Sequence, residues 1–163
     1  VHDASRRPRV FLSSWREPLT WGPGTGRTWT IMGAPRTFER GQGQVVALTP
    51  SDDEVPLMRA ALEARRRGPL FSAGDADPVD RYQRRLTSRW SGLLDAGQLA
   101  PGRLSATPWH HPDVPVHDGD TLCCACVTGQ DCHRRWMTPF LISAGWDVVL
   151  NGVPVERSSR QHG

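Results

Sequence analysis

The sequence predicts an α/β fold: an open, mostly parallel, loop-rich sheet with helices on both faces, in a Rossmann-like three-layer arrangement. Three observations lead there. Several short apolar runs lack the in-out alternation of a half-solvated strand, as strands covered on both faces do: residues 10–15, 29–32, 44–49, 121–126 and 146–150. Apolar residues recur three and four apart over 55–67, 78–94 and 132–144, the spacing of amphipathic helices. Strand-type and helix-type segments alternate along much of the chain, the order that parallel crossover units require.

Residues 1–8 read as a flexible N-terminal tail, 9–155 as a single α/β domain and 156–163 as a flexible C-terminal tail. A length of 163 residues suffices for one domain with a sizeable core, while 16 Gly and 14 Pro imply many loops. Residues 16–27 form a Gly- and Pro-rich loop; its Gly22-Pro23-Gly24-Thr25-Gly26 lacks the Lys-Ser/Thr pair of a phosphate-cradling loop, so it reads as a turn. Residues 36–43 are a polar connection. Ser51-Asp52-Asp53-Glu54 has the form of a cap ahead of a helix over 55–67, with Leu57, Met58, Ala61 and Leu62 on one face. Gly68-Pro69 stops it, and Asp77-Pro78 opens the next helix, whose stripe is Tyr82, Leu86, Trp90 and Leu93 or Leu94. Residues 97–119, with four prolines and no sustained period, read as a covering loop or a partner-binding flap. Asn151-Gly152 reads as a tight turn after the last strand.

Composition narrows the partners. No apolar run approaches a membrane span and the first residues hold no apolar signal core, so no membrane partner is expected. The four cysteines cluster within ten residues instead of forming a spread disulfide framework, which points to a reducing, cytoplasmic setting. All twenty basic residues are Arg, and planar, permanently charged forks suit phosphate and carboxylate. Arg65-Arg66-Arg67 and Arg84-Arg85 read as solvated helix faces, whereas Arg134-Arg135 stands beside the cysteines.

The chemistry is concentrated in residues 121–145, which hold all four cysteines with His133, Arg134 and Arg135. Asp131 is a candidate N-cap, which sets Cys132 and His133 in a first helical turn. There the unpaired N–H groups and the positive dipole end stabilise a thiolate or a bound phosphate. Gly145 is a natural stop.

This stretch resembles the domain-of-unknown-function 488 family, in which a strand-end cysteine is followed, after seven residues, by Cys-His-Arg opening a helix. The matching residues are Cys124, Cys132, His133 and Arg134. Weaker similarities run in the same order: 9–15 to the family's first strand, 28–35 to its second, 47–50 to its Leu-x-Pro turn and 80–86, with Tyr82, to its Tyr-containing helix. The resemblance spans roughly residues 9–150 and implies an α/β fold without an established activity. The family carries an acidic residue two after the first cysteine, where this chain has Cys126.

Three functional readings follow. The first is a thiol-dependent enzyme, with Cys132 as nucleophile beside His133, Arg134 and Cys124. Arg134, Arg135 and Tyr82 would hold its substrate, an anionic, nucleotide-like or phosphorylated small molecule. The spacing does not match the Cys-x5-Arg loop of tyrosine phosphatases. The alternative is a zinc- or iron-binding protein, with Cys124, Cys126, Cys132 and His133 as candidate ligands. On a strand Cys124 and Cys126 share a face and Cys123 points away, and His110, His111 and His117, with Asp113, Asp118 and Asp120, stand just upstream to complete a set. A further alternative is a nucleic-acid-binding module, drawing on seven Trp and twenty Arg, although Trp15, Trp90, Trp136 and Trp146 fall at core positions. Against all three stands inert burial of the cysteines as small apolar residues, the role expected of Cys123. Nothing in the pattern sets an oligomeric state.

Overall fold

A computed structural model describes residues 6–15, 26–32, 41–67, 77–125 and 133–157. Within them the chain is α/β, with a mixed, mostly parallel eight-stranded sheet and three α-helices. The strands are β1 (Arg9–Ser14), β2 (Thr28–Thr30), β3 (Gly43–Gln44), β4 (Ser105–Pro108), β5 (Val114–Pro115), β6 (Thr121–Cys124), β7 (Asp147–Leu150) and β8 (Val153–Pro154). Their order across the sheet is β5-β4-β3-β2-β6-β1-β7-β8. The five strands from β3 to β7 in that order run parallel; β4, β5 and β8 are antiparallel additions at the two sides.

β6 behaves as its unbroken apolar run predicts. It is hydrogen-bonded to β1 on one side and β2 on the other, and all four of its residues are buried. Register sets Leu122 beside Leu12 and Trp29, a fully buried apolar row on one face. The next row, on the opposite face, is polar: Cys123 lies beside Ser13 and Thr30, and all three are buried.

The helices are α1 (Val55–Arg67), α2 (Pro78–Asp95) and α3 (His133–Ala144), and α2 packs against both of the others. Ahead of α1 the Ser51 N–H donates to Glu54 Oε1 at 2.9 Å, half of a capping box. Asp77 caps α2 by accepting the Val79 N–H at 3.0 Å, with Pro78 in the first turn, and Tyr82, Leu86 and Trp90 form the buried stripe. Gly145, at φ 116°, ends α3 where a side chain would be strained, and the Trp146 N–H returns to the Leu141 carbonyl at 3.0 Å. Asn151 and Gly152, both at positive φ, make the turn between β7 and β8.

Three expectations are corrected. Residues 97–119 are not a covering loop: they contain β4 and β5, extend the sheet, and bury Leu99, Leu104, Ala106 and Val116. Pro108 and Pro115 are the last residues of their strands, a position where a missing N–H is tolerated. Residues 44–49 are not a strand: pairing ends at Gln44, and Val46–Leu48 form a 3-10 turn with Val46 59% exposed. The Val45 carbonyl accepts the Leu48 and Thr49 N–H groups of that turn and also the Thr49 hydroxyl at 2.8 Å, while the Ala47 carbonyl is taken up by Arg89 Nη1 at 2.6 Å. Leu62 is exposed, and Ala61 is the residue that α1 buries.

The expectations for residues 16–25, 36–40, Gly68-Pro69, Asp131, Cys126 and Cys132 lie outside the described residues. No described helix is long and apolar enough to cross a membrane.

Candidate functional site

The parallel strands β1, β2 and β6 end together, at Ser14, Thr30 and Cys124. Hydrogen bonding continues one step past them: the Ile31 N–H donates to Cys123 O at 2.9 Å and the Trp15 N–H to Cys124 O at 2.8 Å. In open α/β sheets the carboxyl edge is where ligands bind, because loops and helix N-termini gather there. α3 begins at this edge with His133 and Arg134.

His133 is a buried anchor. Its Nε2 lies 3.0 Å from the Ile31 carbonyl oxygen. A carbonyl only accepts, so Nε2 carries the proton, and the bond ties the first turn of α3 to the end of β2. Thr138 strengthens the same turn by donating its hydroxyl to the Arg134 carbonyl at 3.0 Å.

Arg134 is the anomaly of the molecule. Its residue exposure is 0%, and Nε, Nη1 and Nη2 are all buried without a hydrogen-bond partner among the described residues. A guanidinium keeps its charge inside proteins, and an uncompensated buried charge costs several kcal/mol. Its neighbour Cys123 does not compensate it: burial pushes that thiol up to about 12, against a smaller downward pull from the Arg134 charge. Cys123 is therefore a neutral thiol at ordinary pH, on the polar face with Ser13 and Thr30.

The other candidates separate. Cys124 is fully buried in the apolar core, on the face opposite Cys123. Arg135 is exposed. Tyr82 is buried edge-on against Trp136, with ring centres 5.6 Å apart, and the Arg65 guanidinium lies 5.9 Å over the same Trp136 ring. Cys126 and Cys132 fall outside the described residues.

No family model, curated protein or solved structure matches the chain.

The site therefore rests on its geometry alone. Among the described residues no three His, Cys, Asp or Glu side chains come together as a metal-binding group. His110, His111 and His117 are exposed. Asp113 accepts the Thr107 hydroxyl at 2.7 Å and Asp118 accepts the Arg9 N–H at 2.7 Å. Asp120 accepts from the Arg27 N–H, the Trp29 indole N–H and the His117 N–H, each at 2.9 Å. These acids hold hydroxyl, backbone and indole groups in place. The feature that sequence reasoning missed is that Cys123, expected only as an inert core residue, lies within reach of the Arg134 charge. Alternation separates the two faces, but which one meets α3's charged turn depends on tertiary packing.

Proposed function

We propose that the protein is a thiol-dependent enzyme that binds the anionic group of a nucleotide-like or phosphorylated small molecule at Arg134. One observation carries the reading: a fully buried guanidinium whose three nitrogens lack partners among the described residues. An oxyanion supplies the acceptors and the opposite charge that such a group requires. Because Arg134 lies in the first turn of α3, the positive dipole end of that helix adds to the attraction.

In this reading Arg134 binds the anion, and His133 is a positioning residue that holds the α3 turn against β2. Cys132, adjacent to His133 in sequence, is the nucleophile, and the exposed Arg135 stands in the outer part of the substrate site, whereas Cys124 and Tyr82 belong to the apolar core and take no part. The likeness of Cys124, Cys132, His133 and Arg134 to the domain-of-unknown-function 488 element belongs to this proposal, as does a cytoplasmic setting that keeps thiols reduced. So does the three-layer, Rossmann-like arrangement. Its support is the mostly parallel sheet, in which α3 makes the crossover between the parallel strands β6 and β7.

The test is calorimetric titration of inorganic phosphate and of a nucleoside monophosphate into the wild type, Arg134→Met and Cys132→Ser. Saturable binding by the wild type and Cys132→Ser, lost in Arg134→Met, is expected. Phosphate should also slow alkylation of Cys132. Binding that survives Arg134→Met, or a wild type that binds neither anion, would refute the site, and a Cys132 that alkylates no faster than an ordinary thiol would remove the nucleophile.

A further inference from the structure

Three helix ends converge at Trp136. Arg65 in the last turn of α1 lies over its ring and Tyr82 near the start of α2 meets it edge-on, while Trp136 itself is in the first turn of α3. These turns, 63–67, 77–85 and 134–136, carry eight Arg against three acids, a larger excess than the whole chain's net charge of +3. The remainder of the molecule is acidic on balance, so the positive charge is concentrated on the three helix ends that meet at Trp136.

Six of these arginines are exposed: Arg66, Arg67, Arg81, Arg84, Arg85 and Arg135. Arg66 and Arg67 pair with Glu63, and Arg84 pairs with Asp80, in exposed ion pairs that exchange readily for other anions. Arg81, Arg85 and Arg135 make no ion pair among the described residues. Arg81 and Arg85 stand one helical turn apart on the same side of α2. A small phosphorylated ligand held by Arg134 and Arg135 leaves the other five unused. A chain of phosphates uses them. A membrane surface fits poorly, since the exposed large hydrophobics among the described residues are Val46, Leu62 and Val153, none of them on α2 or α3. The broad end of a duplex suits a fully buried group less than the narrow end of a single strand does.

We infer that the helix ends around Trp136 dock the phosphate backbone of a single-stranded nucleic acid, whose terminal phosphate is taken by Arg134. This rests on the anion site proposed above and names the class of its substrate. The exposed arginines position the strand by its backbone and carry no sequence preference.

Fluorescence anisotropy with labelled single strands of about 12 nucleotides, with and without a 5′-phosphate, tests it over a salt series starting near about 50 mM. Three neutralised phosphates predict a slope of log K against log salt of about −2, and Arg81→Gln with Arg85→Gln should flatten it by about 1.4. Both positions are exposed, so the double variant should melt like the wild type. Removing the terminal phosphate should weaken binding by the wild type and leave Arg134→Met unaffected. No binding at the lowest salt, an unchanged slope in the double variant, or a preference for duplex or for phosphatidylserine vesicles would overturn the docking face even if inorganic phosphate still binds. Salt-dependent binding that ignores the terminal phosphate would overturn the anion site while upholding the docking face.

Discussion

Replacing Arg134 by Met should make the protein more stable when no anion is present. The side chain is fully buried and its three nitrogens have no partner among the described residues, so the wild type bears a desolvation penalty that an apolar chain of similar length does not. Exchanging buried ions for well-packed hydrophobic groups commonly gains about 1–4 kcal/mol. In a chain of 163 residues each kcal/mol moves the melting temperature by about 2–4 °C, so a gain of about 2 kcal/mol raises it by about 4–8 °C. Added phosphate should reverse the ranking. At a hundredfold excess over its Kd it stabilises the wild type by about 2.7 kcal/mol and the variant not at all. The assay is thermal unfolding followed by circular dichroism, first in a buffer free of phosphate and sulfate and then with phosphate added. A variant that melts several degrees below the wild type in the anion-free buffer would show that the protein's own groups already compensate the guanidinium. The reasoning for an external anion would then fail.

Two further outcomes concern the scaffold. Glu54 is 1% exposed and accepts from Arg89 Nε and Nη2, with Oε2 at 2.9 Å from Nε, so Glu54→Gln should cost about 2–4 kcal/mol, less than a fully buried pair because Arg89 is partly exposed. Burial pushes the Glu54 carboxyl up, but hydrogen bonds from Arg89 and the Ser51 N–H, with the Arg89 charge, hold it below the ordinary value of 4.5. The unfolded chain therefore takes up that proton more readily than the folded one, so the contribution is full above pH 4.5 and fades as pH falls through the lowered value. Urea midpoints from about pH 6 to about pH 3 should fall more steeply in the wild type than in the variant. Asp120→Ala strands one buried donor, the Trp29 indole N–H, and two part-buried ones, the backbone N–H groups of Arg27 and His117, and should cost about 2–3 kcal/mol, with Asp120→Asn in between. Phosphate binding should be unchanged in whatever fraction remains folded; lost affinity at unchanged stability would instead assign Asp120 to the site.

The elements with uninterrupted signals were legible. α2 could be read because Asp77-Pro78 marks its start and Tyr82, Leu86 and Trp90 repeat at helical spacing without a break. β6 could be read because both faces and both edges are covered, leaving only apolar or small residues. β4 and β5 could not. Strands of four and two residues that end in proline are too short for alternation to register. The run from Val45 to Leu48 misleads for a different reason: an apolar quartet looks alike in a strand and in a 3-10 turn, and only the end of pairing at Gln44 distinguishes them. At the site, adjacency of His133 and Arg134 to the cysteines was visible. The complete burial of Arg134 was not, because an arginine is normally solvated and nothing local announces the exception.

The position of β1 has a consequence for how the chain acquires its structure. It precedes every other described strand, yet its two neighbours are β6 and β7, and Phe11 is matched with Thr121 and Val149. During synthesis the segment Arg9–Ser14 is made early and then waits through most of the domain with both edges open. Its pairing must close very long loops, which makes for slow assembly and a prolonged opportunity for intermolecular pairing. A chain cut before Asp147 would carry that exposure permanently, with one edge of β1 available to any other strand it meets.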